Sequence, residues 1–232
     1  MLFSVDDEED RPAALAAPHH LVRLAKANED LSWGEFIDTY ALKSLFAKKE
    51  KQIHTLFESY YTALSNVGFT VGLDLFTPAL APLVGQNYEM LKNVSDWVKA
   101  MTYTKAVGPA GFPLEVMCLA NGLRSLNPTI KEERALTFSG ALLGLSKAEI
   151  NHFCQEKRFT SALLEEEIIR SQSMNPKSIA GIELVNHPLF PTNISAEEAK
   201  EMIGVVQRLK SDLIACWNLL YIPFSNISSL LS

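Results

Sequence analysis

The chain has 232 residues, of which 47% are hydrophobic and 21% charged, and its formal net charge is −6. This composition is that of a globular protein with a sizeable core, and the acidic balance argues against a nucleic-acid-binding protein, which needs a basic surface. The N-terminus is acidic and no apolar run approaches the roughly 18 residues of a membrane span, so we expect a cytoplasmic protein with no signal peptide and no membrane contact.

The cysteines give no sign of a metal site or a disulfide framework. Cys118, Cys154 and Cys216 are far apart and odd in number, and their spacing matches no set of metal ligands. We therefore expect reduced thiols, no bound metal and no cofactor.

The N-terminal third is predicted to be helical. Residues 1–18 are acidic and then rich in proline and alanine, which predicts a loose tail before a single domain over 19–232. From 21 to 66 apolar residues recur at helical spacing, and Ser32 with Glu35 forms a capping box. This pattern predicts one long helix or two in succession.

Four later segments have the apolar runs of β-strands: 69–77, 96–104, 178–186 and 212–222. Helical segments separate them, most extensively between 114 and 173. Near-continuous apolar strands joined by helical crossovers are typical of a parallel sheet covered by helices. The sequence therefore predicts an α/β protein.

Alternation along the strands places a few polar and aromatic side chains on one face of the sheet, towards the carboxyl ends where parallel sheets bind ligands. These candidates are Asp74, Lys99, Tyr103, Glu183, Trp217 and, at the rim, Asn218. Two carboxylates, a phenol and an indole are the parts of a carbohydrate site, in which one carboxylate protonates the leaving oxygen and the other attacks or activates water. The indole would stack on a sugar face.

A structural interpretation of the same residues stays open. Asp74 or Glu183 would then only form an ion pair with Lys99 inside the sheet, and Trp217 would be a core residue. Glu183 needs an explanation in either case, because it lies in the apolar stretch "SIAGIELVN" and an ionised, unpaired carboxylate there is costly. We expect it at the open carboxyl end of the sheet.

Four stretches carry a resemblance: "VGLDLFTPALAPLVGQNYEML", "SDWVKAMTYT", "IAGIELVN" and "SDLIACWNLLYIP". Together they resemble the C-terminal half of the glycoside hydrolase-like (β/α)8 (TIM) barrels of uncharacterised function. The resemblance implies that the four strands correspond to barrel strands five to eight. It also implies that Gly85-Gln86 forms the turn after an Asp-bearing strand, and that Glu183 takes the nucleophile's place at the end of strand seven.

The chain also departs from this family. Only four strand-like segments are found, whereas a complete barrel usually takes about 250 residues and eight strands. The strand-four acid/base is missing, and Thr104 stands where chitinase-type barrels have an aspartate. The chain thus resembles a half-barrel with a helical N-terminal segment, whose two exposed sheet edges would pair with a second copy or with a missing N-terminal half-barrel.

Two functions follow from the resemblance. In the first, the protein is a glycoside hydrolase with Glu183 as nucleophile or base and Asp74 as the second carboxylate. Its substrate would be bound by five residues: Tyr103, Trp217, Asn218, Gln86 and Lys99. In the alternative, it is a non-catalytic carbohydrate-binding or assembly module, or an inactive half-barrel fragment. The separation of the two carboxylates distinguishes these functions, since hydrolysis needs about 5–9.5 Å between them.

Overall fold

The computed structural model describes residues 8–105, 107–189, 192–215 and 221–228, with the backbone alone for 213–215. The chain starts with helices and then alternates strands with helices, as an α/β protein does. In this part of the chain the helices are α1 (Arg11–Ala27), α2 (Trp33–Thr39), α3 (Lys43–Ser65), α4 (Tyr88–Leu91), α5 (Phe112–Leu126), α6 (Glu132–Leu142), α7 (Lys147–Glu156), α8 (Ser161–Met174), α9 (Ala196–Arg208) and α10 (Phe224–Ser228). The strands are β1 (Gly72–Phe76), β2 (Trp97–Met101), β3 (Ser178–Ile182), β4 (Asn186–His187), β5 (Thr192–Asn193) and β6 (Leu213–Ala215).

The main sheet is parallel, and its strands follow the order of the chain: β1, β2, β3, β6. The register pairs Asp74 with Lys99 and Lys99 in turn with Ile179. The short strands β4 and β5 form a separate antiparallel pair. The predicted α/β class is confirmed.

The observed strands are shorter than the predicted segments. The third segment, for example, divides after Ile182, and its last residue, Asn186, begins β4. The backbone N–H and the hydroxyl of Thr102 both donate to the carbonyl of Gly181, and this contact ends the ladder between β2 and β3. Of the fourth segment, only Leu213–Ala215 is a strand, and 216–220 lie outside the described residues.

The N-terminal region differs in one respect from the prediction. Residues 11–18, expected to be part of a loose tail, form the first half of α1. A proline is tolerated in the first turn of a helix, where Pro12 lies, and alanine is the best helix former. Ala14 and Ala17 are buried against the helical core, so tertiary packing holds this segment in place.

The region from 21 to 66 contains the expected capping box and a break. The Ser32 hydroxyl accepts from the backbone N–H of Glu35, and the Glu35 carboxylate accepts from the backbone N–H of Ser32. Ala41 then takes a left-handed conformation with φ of 53°, which separates α2 from α3. The region thus contains the end of α1 and the whole of α2 and α3, three helices where one or two were predicted.

The two faces of the sheet have different surroundings. One face is buried and consists of aliphatic side chains: Leu73, Leu75, Val98, Ala100, Ala180 and Ile182. On the other face Lys99 and Gly181 are buried, but the remaining side chains of the described strands are only partly buried or exposed: Asp74, Phe76, Trp97, Met101 and Ile179. We call this second surface the open face. No helix of the described chain is both long and apolar enough to cross a membrane.

Candidate functional site

A group of buried polar residues lies at the carboxyl ends of β2 and β3. Thr102, Tyr103, Thr104 and Lys105 follow β2 directly, and all four are buried. Glu183 follows β3 and is fully buried. Because the carboxyl ends of parallel strands meet at one edge of the sheet, these residues lie together where α/β proteins bind ligands.

Glu183 connects the two strand ends. Its Oε1 accepts a hydrogen bond from the backbone N–H of Lys105, across the gap between the chains that leave β3 and β2. The prediction that Glu183 lies at the carboxyl end of the sheet is correct, but the residue is covered and not at an open end. A buried carboxylate that accepts a backbone N–H is stabilised there and orders the loop that donates.

Lys105 extends this group to α9. Its side chain is largely buried, and Nζ lies 3.1 Å from Oε2 of Glu201. The hydroxyl of Ser161 and the ammonium group of Lys105 lower the pKa of the Glu201 carboxyl against the opposing effect of burial. The lysine therefore faces a carboxylate that stays ionised well into the acidic range.

A second ion pair borders the same group. Arg158 Nη1 lies 2.5 Å from Oε1 of Glu198 on α9, and Nη2 donates to the carbonyl of Asn193. Burial raises the pKa of Glu198, but hydrogen bonds from the Ser195 backbone and from Arg158 outweigh it and hold the pKa below its usual value. The carboxyl edge thus combines two cations with three carboxylates, which are bonded to one another or to the backbone. We call Lys105, Glu183, Glu198, Glu201 and Arg158 the edge cluster.

Asp74 does not belong to this cluster. Its Oδ2 lies 2.7 Å from Nζ of Lys99, and the carboxylate is 54% exposed on the open face. This is the ion pair of the structural interpretation. Following the register, Glu183 lies roughly 13 Å further along the strands and roughly 10 Å across them, about 16 Å between the two Cα atoms.

The two carboxyl groups of a glycosidase lie about 5–9.5 Å apart. The Cα atoms of Asp74 and Glu183 are well beyond that range, which argues against a catalytic pair within one copy. Their bonds also hold them in place, Asp74 to Lys99 and Glu183 to the loop after β2.

The remaining predicted site residues have different locations. Tyr103 is buried in the group after β2, and its carbonyl accepts from the backbone N–H of Phe112. The Gln86 side chain accepts from the backbone N–H of Phe76 at 2.8 Å, so it ties the turn after β1 to the strand end. Trp217 and Asn218 lie outside the described residues.

A further buried carboxylate, Glu167 on α8, was not predicted. One of its oxygens accepts from the hydroxyl of Thr77 at 2.6 Å and from the backbone N–H of Ala79, and the other lies 2.8 Å from Arg170. Burial raises its pKa despite these contacts. Burial and this carboxylate also raise the pKa of Tyr88 well above its usual value.

The sequence does contain a signal for Glu167. In "SALLEEEIIRSQ" the buried positions are Leu163, Leu164, Ile168 and Ser171, and Glu167 lies on the same face of the helix at spacings of three and four. A carboxylate in the apolar phase of an amphipathic helix indicates a buried partner. Lys105 and Glu201 have no comparable signal, because their contact joins segments 96 residues apart.

Within the described residues no group of three or more His, Cys, Asp or Glu side chains has the geometry of a metal site. Comparison with known proteins adds no relative: no family model, no curated protein and no solved structure matches the chain.

Proposed function

We propose that the chain is one half of a (β/α)8-type barrel, completed by a second copy of itself, and that it binds carbohydrate at the carboxyl edge of its sheet. The observation that carries the proposal is the parallel sheet whose strands follow the order of the chain and whose open face is left partly exposed.

The strand order supports a barrel over a doubly wound fold. In a (β/α)8 barrel each strand is added beside the preceding one, whereas a doubly wound sheet reverses its order and binds ligands at the reversal. No reversal occurs among the described strands of the main sheet. Four such strands amount to half of the eight that close a barrel.

The open face supports a missing half. Parallel sheets occur almost only with both faces covered. Here the helices bury one face, while Trp97, Met101 and Ile179 on the other remain partly exposed. In a closed barrel these side chains would fill the interior.

Exposed apolar residues that precede β1 in the chain also support a protein partner. Leu56, Tyr60 and Leu64 form an exposed apolar stripe on α3, and Val67 and Phe69 continue it towards β1. Contiguous exposed apolar surface beside an open strand edge marks an interaction site. A two-fold axis along the barrel would pair β6 of each copy with β1 of the other and leave neither edge open.

A carbohydrate ligand is supported by the chemistry of the edge cluster and by the resemblance to glycoside hydrolase-like barrels. Charged groups held by neighbours at the strand ends offer fixed donors and acceptors to hydroxyl groups. Because Asp74 is too far from Glu183, we propose binding rather than hydrolysis by a single copy. A catalytic partner for Glu183 would have to come from the second copy.

Glycan binding tests the ligand assignment with one substitution in the edge cluster. Glu201→Gln removes the partner of Lys105, while the side chain at 201 is 54% exposed and tolerates the change. We expect it to weaken the binding of any glycan selected from an array by about tenfold, the usual effect of losing one charge-assisted contact. Isothermal titration calorimetry gives the affinity.

Glu165→Gln is the matched control. Glu165 on α8 forms an ion pair of similar length, 2.9 Å, with Arg208. Arg208 lies on α9, about two turns beyond Glu201. Affinity should be unchanged in this variant. Binding that is equal in both variants and in the unmodified protein would contradict the role of the edge cluster, and an array without any binding glycan would contradict a carbohydrate ligand.

A further inference from the structure

A large apolar cavity lies between α1, α5, α6 and the turn Ala81–Val84. Its volume is about 1130 Å³. Protein interiors contain few voids larger than a water molecule, and pockets for small ligands usually measure about 300–1,000 Å³. The cavity is therefore large enough for a ligand of substantial size.

The lining is mainly aliphatic and continues to the surface. Leu21 and Leu123 are buried, whereas Leu15 and Leu126 are exposed at the rim, 68% and 57% respectively. Gly122 also lines the cavity, and a side chain added there would meet no atom within 4 Å. A long, flexible apolar ligand fits such a surface better than a compact polar one.

One polar group inside lacks a partner. Ser139 on α6 is fully buried and lines the cavity, and its hydroxyl makes no hydrogen bond with any described residue. Buried hydroxyl groups are nearly always hydrogen-bonded, because leaving one unsatisfied is costly. This oxygen has almost no accessible surface, so a polar ligand atom would reach it only after the cavity wall shifts.

The charged groups of the lining favour an anion. Arg11 and Lys49 are its cations, and Arg11 forms no ion pair within the part of the chain that the structure describes. The carboxyl group of Glu115 is the opposing charge. Burial raises the pKa of Glu115 and lowers that of Lys49, so it favours the neutral form of both groups and leaves Arg11 as the cation of the lining. In a protein with a net charge of −6, a guanidinium group beside an apolar cavity favours an anionic ligand.

We propose that this cavity binds a fatty-acid-like carboxylate, with its chain along the leucine side chains and its head group attracted by Arg11. The inference is independent of the carbohydrate proposal, since it uses none of the edge cluster.

Laurate is a suitable probe, and a trimethylammonium amphiphile with the same chain is its counterpart of opposite charge. We expect saturable binding of laurate to the full chain by isothermal titration calorimetry, and at least about tenfold weaker binding of the cationic amphiphile. Arg11→Ala should weaken laurate binding by about tenfold, the effect of losing one charged contact. Absence of saturable laurate binding, or equal affinity for both amphiphiles, would overturn the proposal.

A variant whose cavity is filled by an added side chain shows whether laurate binding is lost while the protein stays folded. Gly122→Leu places a side chain in the open space and replaces glycine in a helix interior, so the variant should melt at a higher temperature and no longer bind laurate. Gly34→Leu is the matched control, because Gly34 lies in α2 with no atom within 4 Å of an added Cβ and does not line the cavity. Laurate binding to Gly122→Leu with unchanged affinity would show that the ligand lies elsewhere and would overturn the assignment.

Discussion

Gly181 lies on the open face, in close contact with the backbone of β2. A Cβ at this position would come within 2.7 Å of the carbonyl oxygen of Ala100 and 3.1 Å of Cγ of Lys99. The lysine side chain can move, but the carbonyl belongs to the backbone of a central strand and cannot shift without disturbing the sheet. The glycine is thus needed for close approach of β2 and β3, and it allows Lys99 to lie across β3.

We expect Gly181→Ala to lower the free energy of unfolding by roughly 1–3 kcal/mol, the usual cost of overpacking a core. Urea denaturation measures it. Gly34→Ala is the control, because an added Cβ there meets no atom within 4 Å and alanine favours a helix by up to about 1 kcal/mol. Equal stability of the Gly181→Ala and unmodified proteins would contradict the proposed packing.

The sequence was informative about single residues where alternation within a strand decides their face. Asp74 and Lys99 were expected on one face and lie there as an ion pair. Alternation does not give the distance between two residues along the sheet. Glu183 falls on the same alternating face as Asp74, but it lies further towards the carboxyl end. Convergence of the two carboxylates depended on register, which the sequence leaves open until the strands are paired.

Helix α8 contains a buried carboxyl group, Glu167, whose ionisation lowers the stability of the folded protein. Glu167 is fully buried, and its raised pKa means that the folded state binds its proton more tightly than the unfolded chain does. Stability therefore falls as the pH rises from the ordinary glutamate pKa of about 4.3 to the raised pKa of the folded state, and it is level above that range. The Glu167 carboxylate in turn fixes the segment after β1, because it accepts hydrogen bonds from Thr77 and Ala79.

We expect Glu167→Gln to remove this contribution, because the amide oxygen can accept the same hydrogen bonds without a charge. The stability of the unmodified protein relative to the variant should fall as the pH rises through this range, and urea denaturation at a series of pH values measures the difference. A difference that is constant or that grows with pH would show that burial is not the dominant influence on this carboxyl group.

The positions of most helices and strands were predictable from the sequence, but the residues at which they begin and end were not. The strands and most helices have strong apolar patterns, and the capping box of α2 formed as expected. Residues 11–18 were misassigned because their composition resembles that of a flexible tail, whereas Ala14 and Ala17 are fixed by contacts with distant helices. Local composition does not contain that information.

At the level of the complete molecule, the main feature is a parallel sheet in chain order whose second face is only partly buried. An isolated sheet of this kind would leave Trp97 and Met101 partly exposed and two strand edges available for pairing. The apolar stripe on α3 adds to this surface. Together these features explain why a half-barrel would require a partner, and why the edge cluster would be one side of a larger binding site.

The molecular mass in solution, measured by light scattering after size-exclusion chromatography, shows whether a second copy completes the barrel. If two copies complete the barrel, a single species of twice the 25.8 kDa chain mass is expected. We also expect Trp97→Glu, which places a charge on the open face, to shift the protein towards the monomer. A stable monomer of the unmodified chain, with the same mass as the Trp97→Glu variant, would contradict the proposal that a second copy completes the barrel.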